Sequence, residues 1–276
     1  MIVFSQAVES PDGIILCELA KKNNIKIAIP HALRFFGGTF FSDSYKEKIK
    51  LPISGKVKIH NYNSNDLPYF FDQPLNKKVS QLTLPRFYRV IKLFLNKRKN
   101  ITLSILKIRL YNIFFRSDSY YKFFQYFKFN SFIEQNPNLE CDFIYYPLQY
   151  TPESSINVPA PYYIDQLRAV DEIRYSLPDG FVLYVREHPA MIGRRDSIFY
   201  KKLVSKSRVR LISYKINSHD LIKKSKCVVS ITGTSVIEGF YFKTPSILLG
   251  ENFFSQFLIN DLNNLKNNNL KITTEK

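Results

Sequence analysis

The second half of the chain alternates short apolar runs with segments of helical spacing. The runs are rich in Val, Ile and aromatic residues, which is typical of buried strands. They cover residues 143–146, 181–185, 209–212, 227–231 and 246–249. Helical spacing falls between them, at 162–176, 195–205, 219–224 and 236–242. Because strands that alternate with helices form parallel sheets with right-handed crossovers, this pattern predicts a Rossmann-type sheet.

The first third of the chain shows a shorter version of the same pattern. It predicts a strand at 1–4, a helix at 14–22 and a strand at 25–29 that Pro30 closes. An Asn-Pro-Asn turn at 136–138 marks a boundary between two domains. We therefore predict an α/β protein with a reduced N-terminal domain over residues 1–138 and a C-terminal sheet domain over residues 139–276.

Polar motifs follow two of the predicted strands directly. After the run at 181–185 come Arg186, Glu187, His188 and Pro189, and after the run at 227–231 come Thr232, Gly233, Thr234 and Ser235. In an open α/β sheet, ligands bind just beyond the carboxyl ends of the strands, and a helix N-terminus there attracts phosphate. The two motifs therefore predict a clamp for the phosphate groups of a nucleotide.

These side chains also have ordinary structural explanations, and the sequence leaves both open. His188 could simply end a strand, while Thr234 and Ser235 could cap the helix that follows. Glu238 lies one turn into that helix, where the helix dipole favours a carboxylate.

The arginines near the first motif have two interpretations as well. Arg186, Arg194 and Arg195 could be solvated charges at the rim of a helix. Arginine is also suited to bidentate contacts with phosphate or carboxylate groups, and we favour Arg194 for such a contact.

Two residues are candidates for proton transfer. Glu153 follows the first strand of the C-terminal sheet in a segment too polar to be core, where it would face a cleft together with Gln149. His31 follows the second N-terminal strand, near a Gly-Gly pair that permits close backbone approach. The other histidines are assigned to structure: they are His60 and His219.

The sequence lacks the patterns of metal sites, disulfides and membrane spans. No Asp, Glu or His cluster has metal-ligand spacing and an Asp-X-Asp motif is missing, so we predict a metal-independent mechanism without a cofactor. Three widely spaced cysteines predict reduced thiols. We see no signal-peptide pattern and no apolar run of the roughly 20 residues that a transmembrane helix needs. These features predict a cytoplasmic protein.

Positive charge is concentrated between Arg86 and Lys128. This segment holds eleven Lys and Arg residues against one acidic residue, Asp118, which gives +10 of the formal net charge of +17. Aromatic residues are interleaved with the charges. Three interpretations stay open: helices with aromatic cores and solvated Lys rims, contact with an anionic membrane, or contact with a polyanion. No nucleic-acid-binding motif is present, so a nucleic-acid partner is not predicted.

Three spaced segments resemble motifs of bacterial capsule and surface-polysaccharide synthesis proteins. Residues 146–155 (YPLQYTPESS) resemble their PL(H/Q)xxPE opening, and residues 183–189 (LYVREHP) resemble their LYVKEHP element. Residues 231–250 resemble their ITGT…E…GKP…G element. This family is similar to GT-B glycosyltransferases, including those that use CMP-activated 3-deoxy-2-ulosonic or sialic acids. The resemblance implies a GT-B-like fold in which the basic aromatic helices are an insertion.

The resemblance also implies roles for the candidate residues. In these enzymes the His of the HP motif contacts the donor phosphate or sugar carboxylate, the Ser/Thr motif holds the nucleotide, and a glutamate accepts hydrogen bonds from ribose. The implied nucleotide-sugar site comprises Gln149, Arg186, Glu187, His188, Pro189, Arg194, Thr232, Gly233, Thr234, Ser235 and Glu238. The catalytic candidates beside it are Glu153 and His31.

The implied function is transfer of a sugar from a nucleotide donor, with CMP-linked ulosonic acid favoured, to a glycan or glycolipid acceptor in capsule or lipopolysaccharide synthesis. Residues 1–138 would lie on the acceptor side, and peripheral contact with the anionic inner membrane is expected. A UDP-sugar 2-epimerase-like or polyol-phosphate transferase activity stays open. So does a catalytically inactive family member that binds nucleotide or polysaccharide, because GT-B enzymes usually have two full Rossmann-like halves and the N-terminal half is short.

Overall fold

A computed structural model describes residues 1–8, 10–32, 39–45, 117–152, 154–251, 255 and 262–266 of the chain. Several features predicted from the sequence fall outside these residues. They are Glu153, the Gly-Gly pair at 37–38, His60 and the part of the basic segment before residue 117. What the sequence says of them stays a prediction.

The N-terminal elements form a three-stranded sheet with one helix packed on it. They are β1 (Ile2–Val3), α1 (Pro11–Lys22), β2 (Ile27–Ala32) and β3 (Thr39–Ser42). β1 runs parallel to β2, and β3 runs antiparallel to it. The Ser10 hydroxyl accepts the Gly13 N–H at 3.2 Å and thereby caps α1. The predicted helix and the two predicted strands are confirmed.

Pro30 does not close β2, contrary to the sequence prediction. The strand continues beyond it, and Pro30 pairs with Phe41 of β3. β1 pairs further back, with Ile27 and Ala28, so no hydrogen bond to that neighbouring strand is lost at the proline. As a result, His31 lies within the strand rather than after its end.

A five-stranded parallel sheet spans residues 143–248. Its strands are β4 (Phe143–Pro147), β5 (Val182–Arg186), β6 (Val209–Ile212), β7 (Cys227–Ser230) and β8 (Ser246–Leu248). The order across the sheet is β6-β5-β4-β7-β8. From β4 the chain builds outward to β6 on one side and then crosses to β7 on the other side of β4. This is the strand order of a Rossmann-type sheet, which confirms the predicted α/β class.

Helices cover both faces of this sheet. They are α2 (Ser117–Ser131), α3 (Ser154–Asn157), α4 (Gln166–Tyr175), α5 (Ser197–Val204), α6 (Ser218–Lys224), α7 (Ser235–Tyr241) and α8 (Asn263–Lys266). Phe129 of α2, Val170 of α4 and Leu203 of α5 pack in the core of one face. Leu221 and Ile222 of α6 pack on the other face, and α7 lies against β7, β8 and α6. Burial on both faces explains the continuous apolar runs of the strands.

The helical spacing at 162–176 is divided into two elements. Pro161–Tyr163 form a short 3₁₀ turn, and α4 begins afterwards at Gln166. The cause is local, because the Asp165 side chain accepts the Leu167 N–H at 3.1 Å and starts a new helix.

Side-chain caps also set the starts of α5 and α6, which differ from the sequence prediction. Asn217, rather than Ser218, caps α6 through its side-chain oxygen. Asp196 caps α5, so the helix begins after the two arginines and not at the first residue of the predicted segment. Arg194 and Arg195 therefore lie in the loop before α5, where the backbone can direct them to different sides.

Helix α2 is the described part of the basic aromatic segment. Phe129 is fully buried and packs on Tyr200, with ring centroids 4.8 Å apart. Phe124 and Phe127 are instead 61% and 57% exposed. One side of α2 therefore belongs to the core, and another side presents aromatic rings outward. Among the helices that the structure describes, none is both long and apolar enough to cross a membrane.

Candidate functional site

The carboxyl ends of β4, β5 and β7 bring three loops to one edge of the sheet. The loops begin at Leu148, Glu187 and Ile231. The chain leaves β4 toward the face covered by α4 and leaves β7 toward the face covered by α7, so the two connections diverge. Such a divergence opens a crevice at the strand ends of α/β sheets. Most of the predicted site residues lie in these three loops.

Glu187 is a buried carboxylate directly after β5. Its side chain is 0% exposed and accepts hydrogen bonds from Arg195 Nε and Tyr200 Oη, each at 2.7 Å. It also accepts the backbone N–H of His188 at 2.7 Å. Burial and the neighbouring Glu187 charge raise the pKa of Tyr200, so the phenol stays protonated and donates. Pairing and hydrogen bonding of this kind are what a buried carboxylate needs.

Arg195 joins the loop after β5 to the loop after β4. While its Nε donates to Glu187, its Nη2 donates to the Gln149 carbonyl oxygen at 2.9 Å. The guanidinium also lies over the Phe199 ring, 4.5 Å from the centroid. Gln166 at the start of α4 accepts the Gln149 N–H (2.9 Å) and donates to the Gln149 carbonyl (3.0 Å). The backbone of Gln149 is thus held from two elements.

The Gln149 side chain holds the turn after β7. Its amide oxygen accepts the N–H groups of Thr232 and Gly233, both at 2.8 Å, and its amide nitrogen donates to Thr232 Oγ1 at 3.1 Å. We assign this orientation because two backbone donors face the same end of the amide. A Cβ at Gly233 would lie 2.7 Å from Ser230 Oγ and 3.1 Å from the Gln149 amide, which explains the glycine. We call Gln149, Gln166, Glu187, Arg195, Tyr200, Thr232 and Gly233 the buried frame.

His188, Tyr150 and Arg194 form a polar rim at the outer side of the buried frame. Arg194 is exposed and its Nη1 donates to Tyr150 Oη at 3.3 Å, while the Tyr150 and His188 rings meet edge-on with centroids 6.0 Å apart. His188 Nδ1 accepts the Ala190 N–H at 3.2 Å. The neutral ring therefore carries its proton on Nε2, which is a hydrogen-bond donor suited to an anion.

The start of α7 places two hydroxyl groups next to the turn after β7. Thr234 is the N-cap residue, yet its side chain makes no capping hydrogen bond within the described residues. Ser235 Oγ is buried and has no hydrogen-bond partner in the part of the chain that the structure describes. An unsatisfied buried hydroxyl costs roughly 1–3 kcal/mol. A ligand that supplies a partner for Ser235 would therefore be favoured.

A second polar group lies at the same sheet edge, on the side of α6 and α7. Arg186 is buried, and its Nη2 donates to the Tyr214 carbonyl at 2.9 Å. Glu238 Oε2 lies 3.9 Å from His219 Nε2 of α6. Burial raises the pKa of the Glu238 carboxyl, and the positive charge of Arg186 opposes that rise. His219, which the sequence analysis assigned to structure, is therefore next to a predicted ribose-binding residue.

His31 is buried in the N-terminal sheet with a defined tautomer. Its Nε2 lies 3.0 Å from the Ser44 carbonyl oxygen and 2.9 Å from Ser42 Oγ. Because a carbonyl oxygen accepts and never donates, the neutral ring carries its proton on Nε2 and the lone pair on Nδ1. Nδ1 has no hydrogen-bond partner among the described residues, and the residue is 2% exposed. A neutral ring of this tautomer keeps one lone pair, as a general base requires, but that lone pair is buried.

The structure brings most of the predicted residues to one sheet edge, in three settings. The buried frame contains Gln149, Glu187, Thr232 and Gly233; the rim and the α7 start contain His188, Arg194, Thr234 and Ser235; the second polar group contains Arg186 and Glu238. Pro189 is buried and begins the short turn that follows His188. Their roles toward a ligand stay predictions, as do those of Glu153 and His31 and the domain boundary at 138/139.

From the sequence we favour Arg194 over Arg195 for an anion contact, and we predict no role for Gln166 or Tyr200. One signal pointed to a missing partner. Glu187 lies only two residues past an apolar run, and a carboxylate at such a buried position needs a cation. Spacing does not decide which of two adjacent arginines supplies it, because neighbouring loop residues point in different directions.

The three cysteines are free, and Cys17 and Cys227 are buried. Within residues that the structure describes, no group of three or more His, Cys, Asp or Glu side chains is placed to hold a metal ion. A metal-independent mechanism stays a prediction.

Solved structures that are similar to this chain include three whose matches cover about half of it. KpsC from Thermosulfurimonas dismutans, a β-Kdo 2,7-transferase, is 17% identical and covers 47% of this chain and 45% of its own, with a TM-score of 0.36. The β-Kdo 2,4-transferase of KpsC from the same organism is also 17% identical. Its match covers 45% of this chain and 43% of that protein, with a TM-score of 0.32. The Methanocaldococcus jannaschii UDP-GlcNAc 2-epimerase, solved with UDP-GlcNAc and UDP, is 16% identical. Its match covers 54% of this chain and 41% of that protein, with a TM-score of 0.34. The chain spans less than half the length of each.

The sequence itself carries the assignment to a family. No curated protein matches this chain. The family described as capsule polysaccharide biosynthesis protein matches residues 88–276, which is more than half of the chain. That range contains the parallel sheet, the three loops at its carboxyl edge and all three sequence motifs. The chain therefore belongs to the capsule polysaccharide biosynthesis protein family.

Proposed function

We propose that this protein is a glycosyltransferase-like enzyme of capsule synthesis that binds a nucleotide-sugar donor at the carboxyl edge of the five-stranded sheet. The favoured donor is a CMP-linked ulosonic acid, and the acceptor is a glycan or glycolipid. One observation carries the proposal. His188 and Ser235 follow β5 and β7, the two strands that flank β4 where the strand order reverses. Ligands of open α/β sheets bind at this position.

The phosphate contacts are assigned to side chains. The Gln149 amide oxygen already accepts the N–H groups of Thr232 and Gly233 at 2.8 Å, so we do not assign these two N–H groups to the phosphate. Three side chains at the same edge are assigned as donors to the phosphate: His188 through Nε2–H, Ser235 through its hydroxyl and Arg194 through its guanidinium. All three donate hydrogen bonds that a phosphate oxygen accepts, and those from charged groups are the strongest.

Glu238 is assigned to the ribose hydroxyls. Its side chain is 17% exposed at the strand-end edge, and burial favours its protonated form while Arg186 favours the carboxylate. A carboxyl group accepts a hydrogen bond from a hydroxyl in either state. Arg186 and His219 fix the surroundings of this carboxyl and are not assigned a direct contact with the nucleotide.

The proposed reaction needs a base and a stabilised leaving group. An acceptor hydroxyl gives its proton to Glu153 and forms the new bond to the anomeric carbon of the donor sugar. The bond from that carbon to the phosphate oxygen breaks, and the nucleotide leaves with the electron pair. His188, Ser235 and Arg194 would stabilise the negative charge that develops on the phosphate.

His188→Ala and Ser235→Ala are each expected to weaken binding of CMP about tenfold, because each removes one hydrogen bond to a charged phosphate. Isothermal calorimetry with CMP and UDP measures the loss. The control is Ser205→Ala, which removes a hydroxyl that donates to the Lys202 carbonyl at the end of α5. His219→Ala is unsuitable as a control because His219 is close to Glu238.

A thermal-shift panel decides between the donor classes, since a nucleotide that binds the native state raises the melting temperature. A larger shift with CMP supports the proposal. A larger shift with UDP favours the UDP-sugar 2-epimerase-like alternative. If both Ala variants bind nucleotide like the parent, the site is not where we propose it.

We also propose that the basic aromatic segment holds the protein at an anionic membrane surface, where a glycolipid acceptor would be reached. The support comes from helix α2, on which Phe124 and Phe127 are largely exposed and Lys128 is exposed as well. Aromatic rings insert at the lipid boundary, and basic residues are attracted to anionic headgroups. A cytoplasmic location stays a prediction.

The double variant Phe124→Ser/Phe127→Ser is expected to lose most co-sedimentation with vesicles that contain anionic lipid. Binding of the parent should fade as salt rises, because the Debye length falls to about 8 Å at physiological ionic strength. Tyr175→Ser is the matched control, since Tyr175 is 70% exposed at the end of α4. If the parent protein co-sediments equally with anionic and neutral vesicles, this proposal fails and α2 is a purely structural element.

A further inference from the structure

We infer that the buried Arg195–Glu187 pair positions His188 and the Gln149 loop for nucleotide binding. This inference rests on the proposed function and gives Arg195 a positioning role, without contact with the ligand. The guanidinium lies between the loops that follow β4 and β5 and is bonded to both. The two loops carry, or contact, the groups proposed to hold the phosphate.

Arginine fits this place because it donates in two directions at once. Nε donates to Glu187 Oε2 at 2.7 Å, and Nη2 donates to the Gln149 carbonyl at 2.9 Å. The planar guanidinium holds these donors at a fixed angle. A lysine at the same position keeps the charge, but its single nitrogen does not provide two donors at the positions of Nε and Nη2.

Glu187 and Arg195 each contact a residue that belongs to or supports the proposed phosphate site. The Glu187 carboxylate that Arg195 orients accepts the His188 N–H at 2.7 Å through its other oxygen, Oε1. The Gln149 residue that Arg195 holds by its carbonyl supports the turn at Thr232 and Gly233 with its side chain. A displacement of the guanidinium therefore reaches both sides of the crevice.

A second ion pair of equal length provides a comparison within the same sheet domain. Lys206 Nζ lies 2.7 Å from Asp171 Oδ2, and Arg174 bonds the same carboxylate at 3.1 Å. Lys206 precedes β6 and therefore lies at the amino edge of the sheet, opposite the crevice. Loss of this pair tests what breaking an ion pair does by itself, away from the proposed site.

Arg195→Lys is the test, and its first readout needs no ligand. In the NMR spectrum of the full chain, the His188 ring signals are identified by their loss in His188→Ala. Arg195→Lys is expected to shift these signals and to leave those of His31 and His219 in place. Lys206→Met is expected to shift none of them. Unchanged His188 signals in folded Arg195→Lys would overturn the inference.

The second readout is affinity for CMP and UDP by calorimetry. Arg195→Lys is expected to bind about tenfold more weakly, whereas Lys206→Met binds like the parent even with a lower melting temperature. In the His188→Ala background, Arg195→Lys should cost less affinity than it does alone, because part of the effect of Arg195 passes through His188. Full additivity of the two losses contradicts the inference.

Two further outcomes are separated by this design. If the parent binds neither nucleotide, the proposed function fails, and the His188 signals still decide the positioning role. If Arg195→Lys does not fold, Glu187→Gln replaces it, since glutamine keeps the side-chain volume and an acceptor for Arg195. The His188 signals of Glu187→Gln must then shift for the inference to stand.

Discussion

Glu153→Gln is expected to lower the rate of sugar transfer by about 10²–10⁴-fold, the usual contribution of a general base. Glutamine keeps the size of the side chain but does not take the proton of the acceptor hydroxyl. The chain before it is anchored at the crevice, because Gln166 donates to Thr151 Oγ1 at 2.7 Å. Nucleotide affinity and melting temperature should stay nearly unchanged. Steady-state transfer with donor and acceptor glycan measures the rate.

Glu140→Gln is the matched control for this experiment. Glu140 is an exposed carboxylate that precedes β4, at the amino edge of the sheet, so its loss should not change the rate. Normal turnover in Glu153→Gln would make Glu153 structural. His31 would then be the next candidate, because its Nδ1 has no hydrogen-bond partner among the described residues, and His31→Gln would be expected to show the rate loss instead.

Glu187→Leu is expected to lower the free energy of unfolding by about 3–5 kcal/mol, the range found when one partner of a buried ion pair is removed. The substitution leaves Arg195 buried with its charge uncompensated, and Tyr200 and the His188 N–H lose their acceptor. Urea denaturation of parent and variant measures the difference.

Two comparisons identify the cause of this loss. Glu140→Gln breaks the exposed pair with Lys224, whose atoms are 2.6 Å apart, and should leave the urea midpoint almost unchanged because solvent screens such pairs. The double variant Glu187→Leu/Arg195→Met should regain part of the stability, since it removes the uncompensated charge as well. If Glu187→Leu is as stable as the parent, the buried ion pair between Glu187 and Arg195 does not stabilise the fold as we expect.

The sequence predicted the elements of the C-terminal sheet well because burial on both faces leaves a strong local pattern. The strand at 209–212 has the observed bounds, and the run at 227–231 ends one residue late. Errors occurred where a side-chain contact sets a boundary. Asp165 divides the predicted helix at 162–176, and Asn217 rather than Ser218 caps α6.

The N-terminal sheet shows a different limit of local reasoning. Proline usually ends a strand, and Pro30 was predicted to do so. A proline ends a strand only where a neighbouring strand would have accepted a hydrogen bond from the N–H that proline lacks. Here β1 is too short to reach Pro30, so β2 continues. The position of His31 within β2, and hence its hydrogen bonds to Ser42 and Ser44, follows from a pairing between strands that local sequence does not encode.

The sequence by itself determined which residues reach the edge of the sheet. The motif from Arg186 to Pro189 and the motif that begins at Thr232 directly follow apolar runs, so burying those runs as parallel strands carries both motifs to the carboxyl edge. Only the tertiary structure decided how the side chains divide between frame and rim. Gln149 and Thr232 are 83 positions apart in the chain and meet because β4 and β7 are neighbours. Arg195 turns inward and Arg194 outward because a buried Glu187 needs one cation, and the cap at Asp196 sets where the loop ends.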